Sequence, residues 1–200
     1  MAAALEPDYR VERELGRGGT AIVFLATHLP TNARLAVKLL RPELARAVGE
    51  SRFRREIRIA AELDHPHILP LTDVGGIAGD LYYTMPYVEG ETLRARLARV
   101  TQLPLRDVVE IARQVAMALD YAHSRNIVHR DVKPANILLG STGAIVADFG
   151  IARLMSTDSG DTLTDSGLAI GTPEYMSPEQ GTGGRVSARS EIYSLGCVVY

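Results

Sequence analysis

The 200-residue chain reads as an α+β fold, with a mostly β front and a mostly α back. Two observations predict it. Short apolar or alternating runs, separated by Gly, Pro and Asn turns, dominate the first third. From Pro86 onward the apolar spacing lengthens to that of helices.

The front begins with a strand from Tyr9 to Leu15 that leads into the turn Gly16-Arg17-Gly18-Gly19. Strands follow over Ala21–Thr27 and Arg34–Leu40, joined by Pro30-Thr31-Asn32. A helix is expected over Ala47–Leu63, with Phe53, Ile57, Ala60 and Ala61 on one face and His65-Pro66 ending it. Two further strands are expected over Ile68–Val74 and Asp80–Met85. In the back, Glu91–Val100 and Leu105–Ser124 read as helices, the second striped by Val108, Ile111, Val115, Leu119 and Ala122. Short apolar runs, Ile137–Leu139 and Ile145–Ala147, come next, and a Ser/Thr/Asp-rich stretch from Met155 to Gly167 reads as a loop.

Composition narrows the function classes. The formal net charge is −2, which offers neither the basic excess of a nucleic-acid surface nor that of an anionic-membrane surface. Cys197 is the single cysteine, so no internal disulfide and no cysteine metal site is expected, and its apolar neighbours predict a buried thiol. Met1–Glu6 has no signal-peptide pattern, and no apolar run approaches the roughly 20 residues that span a bilayer. A cytoplasmic protein is expected on these grounds, with an anchor after Tyr200 left open.

Several residues carry chemistry. Gly16, Gly18 and Gly19 permit a tight turn whose backbone approaches phosphates closely. A dinucleotide-binding turn and a plain hairpin are the rival readings, and the strand-like Ala21–Leu25 that follows argues against the first. Lys38 lies inside an apolar strand, where a cation needs a phosphate or carboxylate partner. Glu56 stands close enough to the apolar face of its helix to turn inward; an exposed Glu56 and an edge-strand Lys38 are the plainer alternatives.

The densest signal is His129-Arg130-Asp131-Val132-Lys133-Pro134-Ala135-Asn136, followed by a short hairpin and Asp148-Phe149-Gly150. Here the chain resembles the eukaryotic-like (Hanks-type) protein kinases, and Val88-Glu89-Gly90, Pro178-Glu179-Gln180 and Tyr193-Ser194-Leu195-Gly196 look like bacterial members. The resemblance orders the earlier pieces as glycine loop, strand lysine, helix glutamate, catalytic loop, Asp-Phe-Gly and Ser177-Pro178-Glu179. It implies a bilobal fold over 9–200, with a tail at 1–8, a β-rich lobe at 9–85, a hinge at 86–90 and an incomplete helical lobe at 91–200.

It also implies ATP and Mg2+ as cofactors and Ser/Thr residues of proteins as acceptors. By resemblance Lys38, oriented by Glu56, holds the α- and β-phosphates under the loop Gly16-Arg17-Gly18-Gly19. Asn136 and Asp148 hold magnesium, Asp131 takes the substrate hydroxyl proton, and Lys133 reaches the γ-phosphate. The adenine is expected between Val23 and Ala36 on one side and Leu138 on the other, with Met85 as gatekeeper and Pro86 and Val88 supplying carbonyl and N–H. Ala60, Leu71, His129 and Phe149 match the family's regulatory stack. Arg130 before Asp131 implies control by a loop phosphate, with Thr164 and Ser166 as candidate sites and Thr162 behind them, and self-association would serve phosphorylation in trans. Thr172 is expected to contact Asp131 and Lys133, and Gly171–Tyr175 to shape the peptide site.

Departures from the pattern keep a second reading open, a nucleotide-binding fragment or pseudokinase-like module without turnover. Ala21 replaces a usual glycine and Ser177 an alanine. Glu191 replaces an aspartate that, in the family, accepts hydrogen bonds from the catalytic-loop backbone. The extra methylene is expected to strain a tight site, so that Glu191→Asp would improve stability or activity. The apolar run Ser190–Tyr200 ends without a cap, and the helices that pack on it in the family, with the arginine partner of Glu179, do not follow, which predicts exposed apolar surface. A small-molecule kinase of related fold is disfavoured by Lys133-Pro134 and by Gly171–Glu179.

Overall fold

The computed structural model describes residues 8–77, 80–149 and 173–200, the Ile77 side chain excepted. The chain divides into two compact units. The first holds the residues up to Glu62 together with Pro70–Tyr87; the second holds Leu63–Leu69 and everything from Val88. The stretch 63–69 thus interrupts the first lobe, which the sequence reading drew as continuous over 9–85.

The first unit is built on an antiparallel sheet of β1 (Tyr9–Arg17), β2 (Ala21–His28), β3 (Ala33–Leu40), β4 (Asp73–Ile77) and β5 (Asp80–Pro86), in the order β1-β2-β3-β5-β4. Its register sorts side chains by face, because directly paired residues point the same way and successive residues alternate. Val23 pairs with Lys38 and Lys38 with Tyr83; Leu25 pairs with Ala36 and Ala36 with Met85. These six residues share one face. The opposite face buries Tyr9, Ala26, Leu35, Val37, Leu39 and Tyr82 in one apolar cluster. Tyr9 adds a 2.8 Å hydrogen bond to Asp73, and burial followed by that bond pushes its phenol far above the usual range.

The helix expected over 47–63 is α2 (Glu50–Ala61), and a second, unpredicted helix, α1 (Pro42–Val48), precedes it. The break is Gly49, whose φ of 75° lies in the left-handed region and ends α1 with a bond from its N–H to Ala45 O. Phe53, Ile57 and Ala60 are buried as the periodicity predicts, but Ala61 is exposed. Phe53 packs its ring 6.4 Å from that of Tyr83, which joins α2 to the Lys38 face of the sheet. The strand expected over 68–74 is also revised. Ile68 makes only an isolated parallel bridge to Val146, Leu69 N donates to Val146 O, and the strand begins later, at Asp73.

In the second unit, β6 (Glu91–Thr92), β7 (Ile137–Gly140) and β8 (Gly143–Val146) form a small antiparallel sheet in that order. The helix α3 (Leu93–Val100) starts two residues later than predicted, because Thr92 caps it by accepting from Ala95 N. The 20-residue helix α4 (Leu105–Ser124) buries Gln114, Val115, Ala118, Leu119 and Ala122. Gln114 Oε1 accepts from Ala144 N at 2.6 Å, tying α4 to β8. After the undescribed stretch come a short α5 (Pro178–Gly181) and α6 (Ala188–Val199), the latter opened by a capping box of Ser187 and Ser190. Ile192, Tyr193, Val199 and Tyr200 are exposed, in line with the expected apolar surface of this run. Cys197 is half-buried, not buried as its neighbours suggested.

Candidate active site

In the first unit, the glycine turn closes with Gly18 N donating to Ala21 O at 2.9 Å, and β1 and β2 flank it. A Cβ placed on Gly16 or Gly19 would meet nothing within 4 Å. Neither residue carries a positive φ, so the fold itself does not demand glycine there. The open space above the turn is what a bound phosphate would need. Arg41, which sequence reasoning missed, donates from Nε and Nη2 to Gly18 O at 3.2 and 3.1 Å, and its own N–H donates to Thr20 O at 2.9 Å. These bonds tie the turn to the end of β3.

Lys38 is half-buried on β3 and extends its Nζ to 5.8 Å from the Tyr83 ring centroid. Glu56 is 4 % exposed on α2, beside Arg55, whose Nη2 lies 3.2 Å from Glu56 Oε1. Since Tyr83 touches both Phe53 of α2 and Lys38, the lysine lies on the sheet face that α2 covers. Val23 and Ala36 share that face, as does the 6 %-exposed Met85, while Pro86 ends β5 and pairs with Leu35.

The second unit gathers Arg130, Asp131, Lys133 and Asn136 on the loop before β7. His129 is fully buried; its Nε2 lies 2.7 Å from Ala147 O, and its ring meets Phe149 edge-on at 4.6 Å. Nδ1 accepts from Asp131 N at 3.2 Å, which requires the proton of the neutral ring on Nε2 and makes Ala147 O its acceptor. The residues that follow fold tightly. Lys133 Nζ stands 2.7 Å from Asp131 Oδ2, and Asn136 Nδ2 donates to Asp131 O at 2.8 Å and to Oδ2 at 3.0 Å. A 3-10 turn over Pro134–Asn136 brings Asn136 back onto Asp131 and leads directly into β7. Leu138 and Val88 are half-buried in this unit.

The amide orientation of Asn136 is set by this network. Both Nδ2 contacts are acceptors, so Oδ1 is the atom left to bind a cation. Asp148 sits at a φ of 69°, a strained backbone for a residue with a side chain. Amide and carboxylate oxygens are the hard donors that Mg2+ takes, so the residues fit the ion. Among the described residues no group of three or more His, Cys, Asp or Glu could hold a metal by itself.

Arg130 has a φ of 70°. Glu191, 1 % exposed on α6, accepts from Arg130 N through Oε1 at 2.5 Å and meets His123 Nε2 through Oε2 at 2.6 Å. The longer side chain is therefore absorbed, because each carboxylate oxygen has its own partner. Glu179 accepts from Ser190 Oγ. That hydroxyl, the Glu179 backbone N–H and Ser177 hold its carboxyl below the usual range. Thr162, Thr164, Ser166, Gly171 and Thr172 lie outside the described residues.

Comparison with known proteins gives the family and the fold. The protein kinase domain family matches residues 9–200. The serine/threonine-protein kinase PknB of Mycobacterium tuberculosis is 44 % identical over 98 % of the chain, and PknD of the same species is 44 % identical over 96 %. The chain spans about a third of the length of these relatives, 32 % and 29 % respectively. The crystal structure of the M. tuberculosis PknI kinase domain superposes with a TM-score of 0.77 at 34 % identity, covering all of this chain and 75 % of that one. A point variant of PknI gives 0.79 at 35 % with the same coverage. The fold is that of protein kinases, and the chain belongs to the protein kinase domain family.

Proposed function

We propose that this chain transfers the γ-phosphoryl group of ATP to Ser or Thr hydroxyls of proteins. The observation that carries the reading is the Asp131 carboxylate, held by Lys133 at 2.7 Å and Asn136 at 3.0 Å on a loop fixed by His129 and Glu191. Phosphoryl transfer asks mainly for positioning and charge neutralisation, and these contacts supply positioning before any substrate arrives.

In the reaction, the substrate hydroxyl oxygen forms a bond to the γ-phosphorus while the bond to the β–γ bridging oxygen breaks and ADP leaves. Asp131 orients the hydroxyl and receives its proton. Lys133 neutralises charge on the γ-phosphoryl oxygens. Asn136 Oδ1 and the Asp148 carboxylate would hold Mg2+, which when bound neutralises phosphate charge. In the first unit, Lys38 and Glu56 are the proposed partners of the α- and β-phosphates. The backbone of Gly16-Arg17-Gly18-Gly19 would cover the phosphates. Val23, Ala36, Met85, Pro86, Val88 and Leu138 are proposed to line the adenine. Phosphorylation of Thr164 or Ser166, answered by Arg130, is proposed as the regulatory step, in trans between copies of the chain.

Incubation with Mg-ATP and an acceptor protein, beside Asp131→Asn, tests the reading. Phosphate on the acceptor with the unmodified chain only is the expected result. Equal phosphate with both chains would remove Asp131 from its proposed role. ATP binding without transfer would favour the nucleotide-binding module.

A further inference from the structure

Two peptide planes flank the Cα of Arg130, and both are gripped from outside the loop. The 129–130 peptide offers its N–H to Glu191 Oε1 at 2.5 Å. The 130–131 peptide has its carbonyl oxygen held by Gln180 Nε2 at 2.8 Å and its N–H, that of Asp131, held by His129 Nδ1 at 3.2 Å. Between the two planes the backbone takes a φ of 70°, which a residue with a Cβ adopts only under constraint.

Gln180 reaches this carbonyl from a well-fixed frame. It is the third residue of α5, and its N–H donates to the capping Ser177 Oγ at 3.3 Å. Its neighbour Glu179 is tied to Ser190, the residue before Glu191. The two grips on Arg130 therefore share one support, the α5–α6 segment, and its register is passed to the catalytic loop through main-chain atoms.

We propose that Gln180 is a positioning residue for phosphoryl transfer. By fixing the plane of the peptide that enters Asp131, it aims the Asp131 carboxylate. It touches neither Asp131 nor Lys133 in any described contact, so its effect passes through the Arg130 carbonyl. The proposal rests on the kinase reading for its catalytic consequence and on geometry alone for the grip.

Gln180→Ala removes the donor, and Gln180→Glu keeps the shape but sets an oxygen against an oxygen. Gln180 is only half-buried, so both variants should fold. Amide hydrogen exchange of the full chain is measured for Arg130 and Asp131, with Leu119 of α4 as the internal control. Exchange about tenfold faster at Arg130 and Asp131 in both variants, with Leu119 unchanged, is expected. Steady-state transfer should show kcat about five- to tenfold lower and KM for ATP within twofold of the parent. Gln180→Glu behaving like the parent would reduce Gln180 to a space-filler and overturn the proposal. Unchanged exchange in both variants would do the same. If the parent chain transfers no phosphate, the kinase reading fails, and the exchange data by themselves still uphold or overturn the grip.

Discussion

Glu191 carries its carboxylate one methylene farther than the aspartate of the kinase pattern, and at the residue scale that difference decides a sign. Sequence reasoning alone predicts strain and therefore a benefit from Glu191→Asp. With Oε1 on Arg130 N and Oε2 on His123 Nε2, shortening the side chain must give up one of the two bonds in a site that is 1 % exposed. A lost hydrogen bond to a charged group costs roughly 1.5–3 kcal/mol. Glu191→Asp is thus expected to lower the melting temperature, by about 3–10 °C for a chain of this size, as thermal unfolding can check. An unchanged or higher melting temperature would return the position to the strained reading. The loop chemistry gives a second residue-scale prediction. Lys133→Ala leaves the fold intact, because Lys133 is partly exposed, and lowers kcat by roughly 10²–10³-fold through the lost charge at the transferred group. Steady-state kinetics checks it.

Local residue identity made part of this site legible and concealed the rest. Asp131, Lys133 and Asn136 are close in sequence, so a motif states their proximity before any fold is known. Arg41 and Gln180 act on backbone carbonyls 23 and 50 residues away, and no spacing rule announces such contacts. Glu191 was visible as a departure, but its partner His123 lies 68 residues earlier and only the packing of α4 against α6 brings them together.

Single backbone positions decide the elements. Gly49 separates α1 from α2 at a φ of 75°, with open space where a Cβ would go. Gly49→Ala should therefore cost about 1 kcal/mol, from backbone strain alone. Gly90 differs, since its φ is +156° and a Cβ would lie 2.1 Å from Leu139 O of β7. Gly90→Ala must displace β6 from β7, and a loss of roughly 1–3 kcal/mol is expected. Chemical denaturation of the two variants should show the larger loss for Gly90→Ala. Strand periodicity predicted β1, β2, β3 and β5 closely because turns bound them. The start of the helix over 47–63 was misjudged because a glycine inside a helical pattern is often tolerated. The strand at 68–74 was misjudged because Ile68 and Leu69 are apolar for another reason, their docking on Val146 of β8 in the second unit.

The whole molecule joins a β-rich unit that bears Lys38, Glu56 and the glycine turn to a second unit that bears Asp131, Lys133, Asn136 and Asp148. No helix among the described residues is long and apolar enough to cross a membrane. The proposed reaction needs both units and a divalent cation, so chelation with EDTA should abolish transfer, and added Mg2+ should restore it. Intact mass of the purified chain after incubation with Mg-ATP, beside Asp131→Asn under the same conditions, brings these requirements together. The kinase reading predicts one or more added phosphoryl groups on the unmodified chain and none on the variant. A folded, soluble chain that gains phosphate in neither form, with or without an acceptor protein, would contradict it.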